Sequence, residues 1–205
     1  MIRMSRLAAV ALVAASLLSF VPQEAAEVKI GELNLKDPEF DDLSHLLRVQ
    51  KTSGRYALKG RIRQVGLVFE VHKKGAKKAE LIRSPKVSSE TAGDRQGQFS
   101  IQIADLDYLK LGAEAKKTSR VLFAFNEGGV TIAGHSDVPK TLFDFSEVRG
   151  SGLFKPEVLD KRRIPLFWKA GGADGPIAFG ARPGKVIEGN PELDVLIAYL
   201  ECDLE

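Results

Sequence analysis

Apolar and polar residues alternate along most of this chain, and that alternation constrains the fold more than any other feature. Between residues 56 and 63, Tyr56, Leu58 and Ile62 share one side, while the opposite side is basic. A period of two residues is typical of a β-strand with one buried face. The parity then reverses at residues 64–66, where Gly66 lies, and this indicates either a β-bulge or a turn between two strands.

Similar runs predict strands along the rest of the chain. The run at residues 27–35 has a parity slip at Gly31. Residues 164–169 are apolar on both sides, as in a strand covered on both faces. At the C-terminus, alternate residues from Leu196 to Leu204, including Cys202, share one apolar face. The further predicted strands are residues 27–35, 67–71, 79–83, 99–103, 121–125, 130–133, 143–145, 164–169, 177–179 and 196–204.

Two segments have helical patterns. Residues 37–49 begin with Asp37 and Pro38, a good N-cap and a good first helical residue, and then repeat apolar residues on one face. Residues 105–117 predict a second helix, which Gly112 weakens. We therefore expect a mainly β fold: an antiparallel β-sandwich-like arrangement or partly open barrel, as a single domain over residues 27–205, with one or two short α-helices.

The N-terminus has the form of a secretory signal peptide. Arg3 and Arg6 precede an apolar run over residues 7–21, which is shorter than a membrane-spanning helix and ends at Pro22. We predict a signal peptide over residues 1–26, with an uncleaved anchor as the alternative, and hence an exported chain of the periplasm or extracellular space. With Cys202 as the only cysteine, a disulfide within the chain is excluded.

Charge is unevenly distributed in a chain whose net charge is only +3. Residues 48–86 hold twelve basic residues and two acidic ones. Such a stretch predicts a surface for an anionic partner, namely a lipid phosphate, an acidic glycan or an acidic protein face. A solvated strand face that serves solubility and edge protection is the alternative. Nucleic acid is not expected, because the chain is predicted to be exported and the stretch has few aromatic residues. The candidate binding residues are Lys59, Arg61, Arg63, Lys73, Lys74, Lys77 and Lys78.

No catalytic or metal-binding motif stands out. The three histidines lack close ligand spacing, and the sequence around His135 departs from a nucleophile elbow because Val138 replaces the final glycine. We predict no cofactor, no metal and no assigned catalytic residue. A hydrolytic site assembled in space from His72, His135 and Asp137 remains an alternative.

One short stretch resembles a known family. Residues 81–87, Leu-Ile-Arg-Ser-Pro-Lys-Val, and residues 97–101, Gly-Gln-Phe-Ser-Ile, resemble a segment of the bacterial secretins, in which a Ser-Pro-Lys/Arg-aliphatic run leads to a Gly-Gln turn and a strand. The two parts are further apart here, and the remainder of the secretin core has no counterpart. The resemblance implies a ring-forming outer-membrane protein.

The leading functional expectation is a non-enzymatic binding or scaffold protein of the cell envelope, with its basic stretch facing an anionic partner. One alternative is a structural subunit whose two-sided apolar strand at residues 164–169 is completed by a partner chain. The hydrolase described above is the other. The sequence predicts no particular oligomeric state.

Overall fold

A computed structural model describes residues 27–36, 49–105, 118–139, 148–172 and 177–205. These residues form one open antiparallel sheet of nine strands and one short helix, which confirms the expected mainly β fold. The elements are β1 (Lys29–Lys36), β2 (Val49–His72), β3 (Glu80–Arg83), β4 (Val87–Asp105), β5 (Thr118–Glu127), β6 (Val130–Pro139), β7 (Val148–Leu153), β8 (Arg163–Gly171), α1 (Pro183–Gly189) and β9 (Asp194–Leu204).

The 24-residue strand β2 organises the sheet. The sheet order is β6-β5-β4-β2-β9-β8-β7, and β1 and β3 also pair with β2. The first part of β2 pairs with β1 and β4, and its last part pairs with β3 and β9. We call β1, β4, β5, β6 and the first part of β2 the first half-sheet, and β3, β7, β8, β9 and the last part of β2 the second half-sheet.

The two half-sheets fold towards each other over a shared core. Register shifts occur between Ile62 and Gln64 in the pairings of β2 with both β4 and β9, so the predicted parity reversal is a bulge inside one strand. Phe69 lies beyond this bulge, yet its ring centroid is 6.4 Å from that of Phe123 on β5. The inner faces of both half-sheets therefore meet in one apolar cluster.

A second apolar cluster covers the other face of the second half-sheet. It contains Trp168 of β8, Ile197 of β9 and Val186 of α1, all buried. Consequently β8 is buried on both faces from Ile164 onwards, as its two-sided apolar pattern predicts. The covering residues belong to this chain, and β8 is paired on one edge with β7 and on the other with β9.

Several strand predictions are confirmed in detail. The slip near Gly31 is a register shift between Ile30 and Glu32, and residues 80–83 form the predicted hairpin with β2. The β5–β6 hairpin turns at Gly128 and Gly129, which both have positive φ. The strands β2 and β4 are much longer than the short strands expected.

The strand predicted at residues 177–179, in a glycine- and proline-rich segment otherwise read as loops, is wrong. No strand forms at residues 177–179; instead, residues 183–189 form α1, which starts at Pro183 as a first-turn proline can. The buried Asn190 side chain holds this segment, since its amide donates to the carbonyl oxygens of Ala178 and Val186 at 2.8 and 2.7 Å. Its oxygen accepts from the Ala178 N–H at 3.0 Å.

Other predictions concern residues outside the described ranges. These are the signal peptide at residues 1–26, the helix at residues 37–48, the helix after Asp105 and the strand at residues 143–145. Val49, the last residue of the first predicted helix, instead opens β2, and Asp105 closes β4.

Candidate basic face

The outer side of the first half-sheet carries a row of cations along β2. The apolar residues of this part of β2, such as Tyr56 and Leu58, point into the core, so the alternate side chains point to solvent. Lys29 joins them from β1, because it pairs with Lys59. We call this surface the basic face; its cations are Lys29, Lys51, Arg55, Lys59, Arg61 and Arg63, all exposed.

Most cations of the basic face have no carboxylate partner among the residues that the structure describes. Arg61 pairs with Glu205 at 2.6 Å. The other five form no ion pair within the described ranges. Two carboxylates also lie on this face, where Glu32 accepts a hydrogen bond from Asn34 at 2.6 Å and Asp94 accepts one from the Gly60 N–H at 3.0 Å. The cations outnumber these acids, so the face is electropositive.

Lys29 and Lys59 occupy directly opposite positions on neighbouring antiparallel strands. Side chains at such positions have Cβ atoms about 4.5–5.5 Å apart, and like charges there destabilise the sheet. A bound anion would remove that cost. This cross-strand lysine pair is the strongest single indication that the basic face accommodates negative charge.

The sequence-predicted binding residues do not form one patch. Lys59, Arg61 and Arg63 lie on the basic face, whereas the four lysines at 73, 74, 77 and 78 lie in the loop between β2 and β3. Lys59 and Lys73 are fourteen residues apart, which corresponds to about 45 Å along an extended strand. In the loop, Lys73 pairs with Glu80 at 3.1 Å and Lys74 with Glu192 at 3.0 Å. Lys77 and Lys78 are exposed.

Two adjacent clefts lie on the basic face and share Arg55 and Gln98. The first cleft is about 340 Å³ and reaches from β1 to the β5–β6 turn, with Gln96 and Asn126 on its walls. The second is about 370 Å³ and extends along β1 and β2 past Asn34. The basic face thus combines a guanidinium with several side-chain amides.

A buried polar cluster supports the floor of the first cleft. The Tyr56 hydroxyl donates to the Glu127 carboxylate at 2.8 Å, and the Arg95 guanidinium pairs with the same carboxylate. Arg95, only 5% exposed, also donates to the carbonyl oxygens of Arg63 at 2.8 Å and Val87 at 3.3 Å. It thereby bridges β2 and β4 where their register shifts. Burial, together with the Glu127 hydrogen bond, raises the pKa of Tyr56.

Gly97 makes this arrangement possible. A Cβ at this position would lie 2.7 Å from the Asn126 carbonyl oxygen and 2.8 Å from the Tyr56 hydroxyl oxygen. Any other residue would displace the tyrosine from Glu127. Gly97 and Gln98 are consecutive residues within β4, so they do not form the turn that the secretin resemblance implied.

The second half-sheet carries charge that is internally balanced. On its outer side, Arg163 pairs with both Glu70 and Glu201 at 3.0 Å, and Lys86 pairs with Asp203 at 2.6 Å. Among these acids, Glu201 and Asp203 of β9 pair with Lys86 of the basic stretch. This surface therefore offers little net charge to a polyanion.

His72 lies beside Glu70 in this network. Its Nε2 is buried and 3.6 Å from a Glu70 carboxylate oxygen, which is too long for a hydrogen bond. The pKa of Glu70 is lowered, first by His72 and then by the Tyr199 hydroxyl and Arg163, although burial acts in the opposite direction. The Tyr199 hydroxyl donates to Glu70 at 3.0 Å.

The structure does not bring together the residues of the alternative hydrolytic site. His72 lies on the outer side of the second half-sheet, whereas His135 and Asp137 are exposed on β6, three strands away from β2. The Arg120 Nε donates to the Asp137 carboxylate at 2.8 Å, and this hydrogen bond lowers the pKa of the Asp137 carboxyl group. Among the described residues, no group of three or more histidine, cysteine or acidic side chains is placed to hold a metal ion.

Two buried titratable side chains lie on the core side of the second half-sheet. Cys202 is fully buried, as its place on the apolar face of residues 196–204 predicts, and burial raises the pKa of its thiol to about 12. Lys169 is 3% exposed, and burial lowers the pKa of its ammonium group to about 7. The sequence signal for this burial is the position of Lys169 at the end of the apolar run of residues 164–169. Trp168, in the same run, is also buried.

Comparisons with known proteins do not assign the chain to a family. The chain matches no known protein family, and no curated protein or solved structure shows significant similarity to it. Over the described ranges, no helix has the length and apolarity needed to cross a membrane.

Proposed function

We propose that this chain is an exported, non-enzymatic binding protein of the cell envelope, and that its basic face holds an anionic partner. The cations along β2 that form no ion pair with a described residue, with Lys29 directly opposite Lys59, carry the proposal. A sheet face with a row of cations suits an extended polyanion, because each strand residue advances about 3.3 Å and successive charges stay in line.

Ion pairs with acidic residues leave some cations of the basic stretch less suited to bind a partner than others. Acids on β9 and near it occupy Arg61, Lys74 and Lys86, so these side chains have less charge to offer a partner. Lys59 and Arg63 are exposed on the sheet face and form no ion pair with a described residue. They are the two sequence-predicted residues on which the proposal now depends most.

The experiment compares two double variants of the full chain with the same charge change. Lys59→Gln with Arg63→Gln removes two cations from the basic face; Lys77→Gln with Lys78→Gln removes two from the loop. Binding is measured to dextran sulfate, to phosphatidylglycerol vesicles and to poly-glutamate, which represent the three partner classes.

A cation near an anionic surface contributes about 1 kcal/mol. The face variant should therefore bind about 10- to 30-fold more weakly at low salt, and the loop variant should change less than about 2-fold. Binding should weaken at high salt, because salt screens exposed charges. Equal losses in both variants, or no loss in either, would contradict the proposal.

A further inference from the structure

The two clefts on the basic face have a chemistry that is more specific than positive charge. Arg55 and Gln98 stand side by side at the boundary between them, paired across β2 and β4. Asn34 is opposite Arg55 on β1, and Asn126 is opposite Gln98 on β5. These four side chains therefore form one row across four strands, about 14 Å wide at the usual strand spacing.

The row suits a ligand that carries both acid and hydroxyl groups. A guanidinium binds a carboxylate through two parallel hydrogen bonds, and Arg55 makes no ion pair within the described ranges that would compete for it. Side-chain amides donate and accept, which matches hydroxyl groups, and Gln98 forms no side-chain hydrogen bond with a described residue. A phosphate chain can accept from the amide N–H groups of this row, but only a ligand with hydroxyl groups can also donate to the amide oxygens.

An acidic side chain on the cleft wall argues against a densely charged polymer. Glu32 lies on the wall of the first cleft and forms no ion pair with a described residue, whereas Glu127 at the floor is paired with Arg95. A carboxylate repels a polyphosphate or a packed layer of lipid phosphates, but it accepts hydrogen bonds from hydroxyl groups. A polymer with one negative charge per sugar, spaced by hydroxyls, avoids most of that repulsion.

Building on the proposed function, we infer that the partner is an acidic glycan, a chain of carboxylated sugars. A sugar carboxylate binds Arg55, and neighbouring hydroxyls bind Gln98 and Asn34 in the two clefts. The cations elsewhere on the basic face supply long-range attraction, while this row supplies selectivity.

The test uses a neutral substitution so that charge is held constant. Gln98→Leu removes the amide shared by the two clefts; Gln102→Leu is the matched control, because Gln102 lies on the same side of β4, four residues further along the strand, and lines neither cleft. Asn34→Ala provides a second cleft variant. The thermal midpoint of each variant confirms folding, and binding of the full chain to oligogalacturonate, polyphosphate and phosphatidylglycerol vesicles is measured at one salt concentration.

We expect Gln98→Leu and Asn34→Ala to weaken oligogalacturonate binding about 3- to 10-fold, the range for loss of one hydrogen bond. Gln102→Leu should change it less than about 2-fold, and neither glutamine variant should alter the binding of polyphosphate or vesicles. If oligogalacturonate affinity is the same in all three variants while Lys59→Gln with Arg63→Gln still weakens it, the glycan inference fails and the proposed function survives. If none of the three polyanions binds the natural chain, both fail.

Discussion

Reversal of the charge at Lys59 should make the protein more stable and a weaker anion binder at the same time. Lys59 faces Lys29 across the β1–β2 pairing, and both side chains are exposed. In Lys59→Glu, two facing cations become an ion pair. If Lys59 served stability alone, its replacement would not raise the stability while weakening anion binding. Measuring both quantities in Lys59→Glu therefore tests whether the lysine pair serves binding.

The magnitude follows from cross-strand pair energies. Facing like charges cost about 0.2–1 kcal/mol, and an opposite-charge pair contributes a similar amount. The substitution should therefore raise the free energy of unfolding by about 1 kcal/mol at low salt. For a chain of this size, that corresponds to an increase of about 2–4 °C in thermal midpoint.

The assay is a double-mutant cycle of thermal and urea unfolding with Lys29→Glu, Lys59→Glu and the double variant. Each single variant should be more stable than the natural chain, and the double variant, with two facing glutamates, should lose that gain. Near 1 M salt the differences should shrink, because the screening length falls to about 3 Å. Destabilisation by Lys59→Glu at low salt, or additive gains in the double variant, would refute the reasoning about this pair.

Three further predictions concern buried groups. Glu127→Gln should lower the free energy of unfolding by about 2–3 kcal/mol in urea titrations, because it leaves the buried Arg95 guanidinium without a countercharge. Since the folded-state pKa of Glu70 lies below its ordinary value of 4.5, its stabilisation is present above that pH and is lost as the pH falls through the lower folded value. Glu70→Gln should therefore flatten the acid side of the stability profile. Cys202 should resist maleimide labelling at pH 8 in the folded protein and react once urea unfolds it.

Local alternation was sufficient to predict most of the strands. The buried face of β9 and the parity reversal after Ile62, which the sequence left open as a bulge or a turn, follow from residues that are neighbours in sequence. The helix α1 was not predictable in this way, because its segment is rich in glycine and proline and its position depends on hydrogen bonds from Asn190 to Ala178.

The candidate site was predicted only in part, because charge pairing depends on strand register. Arg61 and Glu205 are 144 residues apart in sequence, and nothing local indicates that they meet. Likewise, Asn34, Arg55 and Gln98 line up only because two separate pairings, of β2 with β1 and with β4, have matching registers. The sequence therefore predicted an excess of positive charge without showing which cations remain unpaired.

Lysine footprinting tests most directly whether the basic face binds an acidic glycan. The full chain is acetylated with a small amine-reactive ester, with and without oligogalacturonate, and the labelling rate of each lysine is measured by mass spectrometry. Lys29, Lys51 and Lys59 should be protected, while Lys77 and Lys78 should react at unchanged rates. Protection of the loop lysines, or unchanged rates at all five, would contradict binding at the basic face.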